Sequence, residues 1–141
     1  MTKGALDRVD VDEVRTFLSE NHRAVLATRR SDGGIQLSPV LVGIDGEGRA
    51  VISVTEARAK TKNLRRDPRA SLCVMSDRFF GRWVQIDGTA RIVSLPEAME
   101  PLVDYFRRVA GKEHDNWDEY RQAMLAEGRC LVRIDLERAT P

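Results

Sequence analysis

Arg23–Val54, RAVLATRRSDGGIQLSPVLVGIDGEGRAVISV, decides the fold. Three apolar runs, Arg23–Arg30, Ile35–Ile44 and Arg49–Val54, are separated by Ser31-Asp32-Gly33-Gly34 and by Asp45-Gly46-Glu47-Gly48. Breaks this short leave room only for hairpins, and glycine supplies the positive φ that tight turns need. The stretch therefore predicts an antiparallel meander of three strands. Pro39 cannot donate a ladder hydrogen bond, so a bulge or a strand edge is expected there.

Downstream, Ala70–Met75 (ASLCVM) reads as a fourth strand and Arg82–Val93 (RWVQIDGTARIV) as a long fifth, bent at Gly88. Asp77–Gly81, with Phe79-Phe80, reads as a loop. Ser94 with Glu97 has capping-box spacing, Pro96 suits an early helical position, and Met99, Leu102, Val103, Phe106 and Val109 make an apolar stripe ending at Gly111. Asn116 with Glu119 opens a further helix carrying Trp117, Tyr120 and Met124, closed by Gly128. Arg129–Leu136 (RCLVRIDL) alternates as a sixth strand.

Upstream, residues 1–9 are expected to be a flexible arm preceding one domain over residues 10–141. Asp10 with Glu13 spaces as a capping box for a helix from Val11 to Glu20, whose narrow stripe of Val14, Phe17 and Leu18 suits a plug at the end of a barrel. Short-turn strands argue for an antiparallel sheet, and a bulge proline and a bending glycine suit its closure. The expected class is mainly β with flanking helices, a split β-barrel of six or more antiparallel strands.

The 141 residues carry a net charge of +1, with 42% hydrophobic and 32% charged content, an ordinary globular balance. No apolar run approaches the roughly 20 residues of a membrane span, and the N-terminus has no apolar signal core, so a cytoplasmic protein is expected. Cys73 and Cys130 sit in strand-like runs without CxxC spacing, and His22 and His114 lie far apart, so no metal is expected.

The charge is concentrated in Thr55–Arg69, TEARAKTKNLRRDPR, six basic residues against two acidic ones. A helix of about three turns starting near Thr55, with Pro68 ending it, would turn Ala57, Thr61, Leu64 and Pro68 inward and present Arg58, Lys62, Arg65 and Arg69 as a basic stripe. Lys60 falls between stripe and core, where a charge needs a partner. A strand running into a helix whose first turn bears Arg58 and Lys60 suits an anion. The same residues also read as a solvated helix face. Nucleic acid is disfavoured, because no aromatic residue interleaves these cations and the whole chain is nearly neutral.

Val25-Leu26-Ala27-Thr28, Gln36-Leu37-Ser38-Pro39-Val40, Arg58-Ala59-Lys60-Thr61 through Ser71, and Gly88-Thr89-Ala90 together resemble the pyridoxamine 5′-phosphate oxidase-like split β-barrel proteins. Trp117–Met124 resembles their branch that uses the deazaflavin coenzyme F420. The resemblance implies a homodimer with its cofactor in a groove between subunits. It implies that Arg58 and Lys60 hold the cofactor phosphate, that Ser53 and Thr61 add hydrogen bonds, and that Ser38 and Pro39 sit against the ring. It implies that Arg82 and Trp83 reach over from the partner. The chain stops at Pro141 without the C-terminal substrate tail of the vitamin B6 oxidases, which argues against that substrate. The function implied is hydride transfer between reduced F420 and a small organic molecule, with no protein residue evident as acid or base. The alternatives are an FMN-dependent oxidase or reductase of the same fold, or a non-enzymatic F420 binder or carrier.

Overall fold

The computed structural model describes residues 3–140, with side chains from residue 11 onward. The elements run α1 (Lys3–Glu20), β1 (Arg23–Arg29), β2 (Ile35–Ile44), β3 (Ala50–Thr55), α2 (Ala59–Arg66), β4 (Arg69–Met75), β5 (Trp83–Val93), α3 (Met99–Ala110), α4 (Trp117–Glu127) and β6 (Arg129–Thr140). All six strands pair antiparallel in one closed barrel, ordered β1-β2-β3-β6-β5-β4. Gly33 (φ 87°) and Gly48 (φ 78°) make the two turns of the meander.

Alternation along the strands fills the interior. Leu26, Ile52, Leu72, Ile86, Val132 and Ile134 are almost completely buried in one cluster. Each contributes roughly 1.5–3 kcal/mol relative to exposure. Val14, Phe17 and Leu18 of α1 join that cluster, so the helix does plug the barrel. It begins at Lys3, however, within the span where a loose arm is expected, and it runs through Asp10, so no capping box forms there. No proline interrupts residues 3–20. Residues 1 and 2 lie outside the described residues.

A second cluster lies outside the barrel, where Leu102 and Val103 of α3 and Tyr120 and Met124 of α4 cover Val51 and Leu131. Asn116 caps α4 by accepting from the Glu119 amide at 3.1 Å, as the spacing predicts. The Ser94–Glu97 box does not form: α3 starts at Met99, and the Ser94 hydroxyl turns to the Glu56 carboxylate at 2.9 Å. At Gly88 the β5–β6 register shifts, and an added Cβ would collide with the Asp135 carbonyl oxygen. The expected bend is thus a site where two backbones nearly touch, which only glycine allows. Among the described residues no helix is long and apolar enough to cross a membrane.

Candidate cofactor groove

The barrel is split along one seam. β2 pairs with β1 from Ile35 to Leu41, but with β3 only from Val42 to Ile44. β3 pairs with β6 on its other edge from Ala50 to Thr55, so beyond Ile52 its β2-facing edge is unpaired. Pro39 therefore lies on a β2 edge that faces no β3 partner, one of the two placements its missing N–H allows.

Two contiguous depressions of about 360 Å³ each occupy that seam and share Pro39, Ser53, Lys60 and Arg129. One continues past Ser38, Thr55 and Arg58. The other continues past Leu41, Tyr105, Phe106, Tyr120 and Met124. Among the described residues no carboxylate or imidazole lines either. The groove thus has a cationic head and an apolar body.

The head is built by β3 ending late. Thr55 still pairs with Arg129, and the Glu56 amide donates to the Gly128 carbonyl, so α2 opens only at Ala59, with Arg58 extended as its cap (φ −72°, ψ 149°). The three-turn helix expected from Thr55 is accordingly eight residues long. It ends at Asp67, held extended by Pro68. Thr61 and Leu64 face inward as the periodicity predicts, but Ala57 and Pro68, which precede and follow the helix, are exposed.

The expected basic stripe is divided. Arg65 pairs with Glu56 at 2.7 Å and Arg69 with Asp67 at 2.6 Å. Among the described residues Arg58, Lys60 and Lys62 have no carboxylate within 4.0 Å. Burial, reinforced by the neighbouring Arg58 and Arg129 charges, lowers the Lys60 pKa. A cation held against desolvation and two like charges is one that gains from an anion. Beneath the head, the Ser38 hydroxyl is buried without a hydrogen-bond partner, a vacancy natural proteins seldom leave unexplained.

In the apolar body, the Tyr105 hydroxyl donates to the Leu41 carbonyl at 2.7 Å. That carbonyl sits just before β2 rejoins β3. Burial raises the Tyr105 pKa, and it pushes Tyr120, which donates to the Leu102 carbonyl at 2.9 Å, up to about 12. Both stay protonated in the ordinary range, as fixed donors.

The structure brings Ser38, Pro39, Ser53, Arg58 and Lys60 together in one groove. Thr61 is apart from it: fully buried, it donates to the Thr55 carbonyl at 2.6 Å and so holds the strand-to-helix junction rather than facing the groove. Arg82 and Trp83 do not line the groove of their own chain. Arg82 lies 3.8 Å from Glu13 and over the Phe17 ring, and Trp83 pairs with Met75. Sequence reasoning missed Arg129, Tyr105 and the apolar wall of Leu41, Phe106 and Met124. Arg129 follows the Gly128 cap, a position visible in the sequence, but only the β3–β6 register puts it beside Arg58.

A family model described as pyridoxamine 5′-phosphate oxidase matches residues 11–141. A conserved hypothetical protein of Mycobacterium tuberculosis superposes with a TM-score of 0.75 at 29% identity, over 91% of this chain and 81% of that one. An F420 reductase is similar at 20% identity and TM-score 0.66, over 89% and 94% of the two chains. A heme-binding protein from Mycobacterium smegmatis is similar at 21% identity and TM-score 0.70, over 92% of this chain and 52% of that one. These last two likenesses speak to the fold alone. The closed six-stranded barrel, its seam and the near-complete span of the family match lead to one assignment: the chain belongs to the pyridoxamine 5′-phosphate oxidase family.

Proposed function

We propose that the groove binds coenzyme F420 and that the protein is an F420-dependent oxidoreductase acting on a small organic substrate. The observation that carries this reading is the pair Arg58 and Lys60, free of carboxylates, at the head of a groove whose lining contains none. An orphaned Ser38 hydroxyl under that head fits a polar ligand that completes the site. Bound F420 supplies two-electron hydride chemistry at its ring.

The chain's part is to bind, orient and keep water out. Arg58 offers the phosphate a planar fork and Lys60 a point charge. Arg129, partly committed to Glu127 at 3.0 Å, adds to the field. Ser53 adds a hydroxyl at the shared floor, while Ser38 and Pro39 lie against the ring. Thr61 acts through the Thr55 carbonyl that it holds. Tyr105, Phe106 and Met124 wall the apolar side, where an organic substrate would sit.

FMN is the second reading, favoured by one finding. Arg65 and Arg69 are held in ion pairs, so of the basic stripe only Arg58 and Lys62 are left to follow the spread charge of the coenzyme's phosphodiester and oligoglutamate tail. A single compact phosphate is satisfied by Arg58 and Lys60 alone.

The reading includes a homodimer. Ile35, Leu37, Pro39 and Leu41 are exposed along one face of β2, an apolar row that a lone chain would leave in water. Fluorescence titration of the purified protein with F420 is the deciding experiment. Binding that Lys60→Ala weakens roughly ten- to hundred-fold, the value of about 1.5–3 kcal/mol for a charge-assisted contact, supports the reading. A protein purified yellow with releasable FMN transfers the assignment to the second reading. Absence of F420 binding in the wild type removes the first.

A further inference from the structure

β2 and β3 stop pairing at one definable rung. The Asp45 amide donates to the Arg49 carbonyl at 2.9 Å, so these two form a hydrogen-bonded pair, and every second pair beyond them does the same. Gly43 with Val51 is the next such pair, and Leu41 with Ser53 would be the one after. Both are turned the right way for it. The Val42 amide donates to the His22 carbonyl on the β1 side at 2.7 Å, which leaves the polar groups of Leu41 facing β3. The Glu56 amide donates to the Gly128 carbonyl beside β6 at 2.9 Å, which leaves those of Thr55 and Ser53 facing β2. Yet the Leu41 carbonyl accepts from the Tyr105 hydroxyl at 2.7 Å, and the Ser53 amide acts on that same hydroxyl as a donor.

We propose that Tyr105 is a splint in the β2–β3 ladder: its hydroxyl occupies the Leu41–Ser53 rung, holds the two strands apart there, and so presets the width of the groove. Two bonds in series through the hydroxyl put the Ser53 nitrogen and the Leu41 oxygen roughly 5 Å apart, where a direct bond needs about 2.9 Å. The phenol is carried by a helix fixed against β2. α3 is pressed onto that strand at Gly43, where an added Cβ would lie 3.2 Å from a Val109 methyl, and Arg108 donates to the Ile44 carbonyl at 3.1 Å. Tyr105 acts through the two strands, and so is a positioning residue.

The following rung is blocked by different means. It would join Pro39 to Thr55, but Pro39 has no N–H to give. The Thr55 carbonyl already accepts from the Thr61 hydroxyl at 2.6 Å. That block stands whether or not Tyr105 is present, so loss of the Tyr105 hydroxyl closes one rung alone. A ligand entering the groove would then have to break that rung first. The effect on cofactor affinity rests on the F420 reading; the splint itself does not.

The test is nuclear magnetic resonance of the deuterated, 13C,15N-labelled protein, reading couplings transmitted through hydrogen bonds. In the wild type a correlation between the Val51 nitrogen and the Gly43 carbonyl is expected, and none between the Ser53 nitrogen and the Leu41 carbonyl. Tyr105→Phe keeps the ring and its packing, and should make the Ser53–Leu41 correlation appear while the Val51–Gly43 correlation persists. A tyrosine that merely fills space would leave Ser53 and Leu41 uncoupled in both proteins, and that result overturns the proposal. A direct Ser53–Leu41 correlation already present in the wild type also overturns it, and this arm decides alone if Tyr105→Phe does not fold. F420 titration of the same two proteins reports on the groove. The closed rung should weaken binding about two- to tenfold, the worth of one net hydrogen bond. A closed rung with unchanged F420 affinity overturns the role in setting groove width. A wild type that binds no F420 removes the cofactor reading and leaves the splint standing.

Discussion

Lys60 shows how a single residue acquires meaning from its surroundings. In the sequence it is one cation among six. In the fold it is the one whose pKa is held down, first by burial and then by Arg58 and Arg129. An anion in the groove would reverse that pressure and favour the protonated form. Affinity for a phosphate-bearing cofactor should therefore fall as pH rises, beginning below the ordinary lysine value of 10.5. Lys60→Arg should move that loss upward; a pH series of fluorescence titrations checks both. Cys130 provides a contrast. Burial, with the Glu56 charge nearby, pushes its thiol up to about 12, and it is fully covered. In the native protein a thiol reagent should label Cys73 and leave Cys130 unmodified until the chain unfolds, as mass spectrometry of the labelled protein would show.

At the scale of elements, α2 matters because it carries Lys60 at its start, and its other end is pinned by a buried polar network. The Asn63 amide donates to the Thr28 hydroxyl at 3.1 Å and to the Gln36 side-chain oxygen at 3.3 Å, and its oxygen accepts from Arg66 at 3.2 Å. Asn63→Leu leaves Thr28 and Gln36 short of a partner and should cost about 1–3 kcal/mol, read as a lowered denaturation midpoint. Gly88→Ala forces a methyl group into the Asp135 carbonyl and should cost at least as much as overpacking usually does, about 1–3 kcal/mol, by the same measurement. The strands, the hairpin turns, the Gly88 bend and the Asn116 cap were all legible, because each is a local pattern of alternation or capping. The start of α2 was not. Local propensity favours a helix from Thr55, but pairing of Thr55 with Arg129, seventy-four positions on, keeps it in the sheet. Ser94 misled for a similar reason: its cap role gives way to a bond with Glu56, thirty-eight residues away in sequence.

For the whole molecule, the exposed row on β2 predicts association. Leu37, 65% exposed in the chain alone, should be a surface position if the protein is a monomer and a contact if it is a dimer. Leu37→Asp should then give a folded monomer by sedimentation, with circular dichroism unchanged; an unchanged dimer would place the contact elsewhere. The local order of residues by itself determined six antiparallel strands with helices around them, because alternation, turn glycines and capping residues act within a few residues of one another. It also singled out Arg58, Lys60, Ser38 and Pro39 through their resemblance to a family. Only the tertiary structure decided that β2 and β3 part after three paired residues, that Arg129 and Tyr105 enter the resulting groove, and that Arg65 and Arg69 are spent on carboxylates. Those outcomes depend on barrel closure and strand register, which join residues that no local pattern connects.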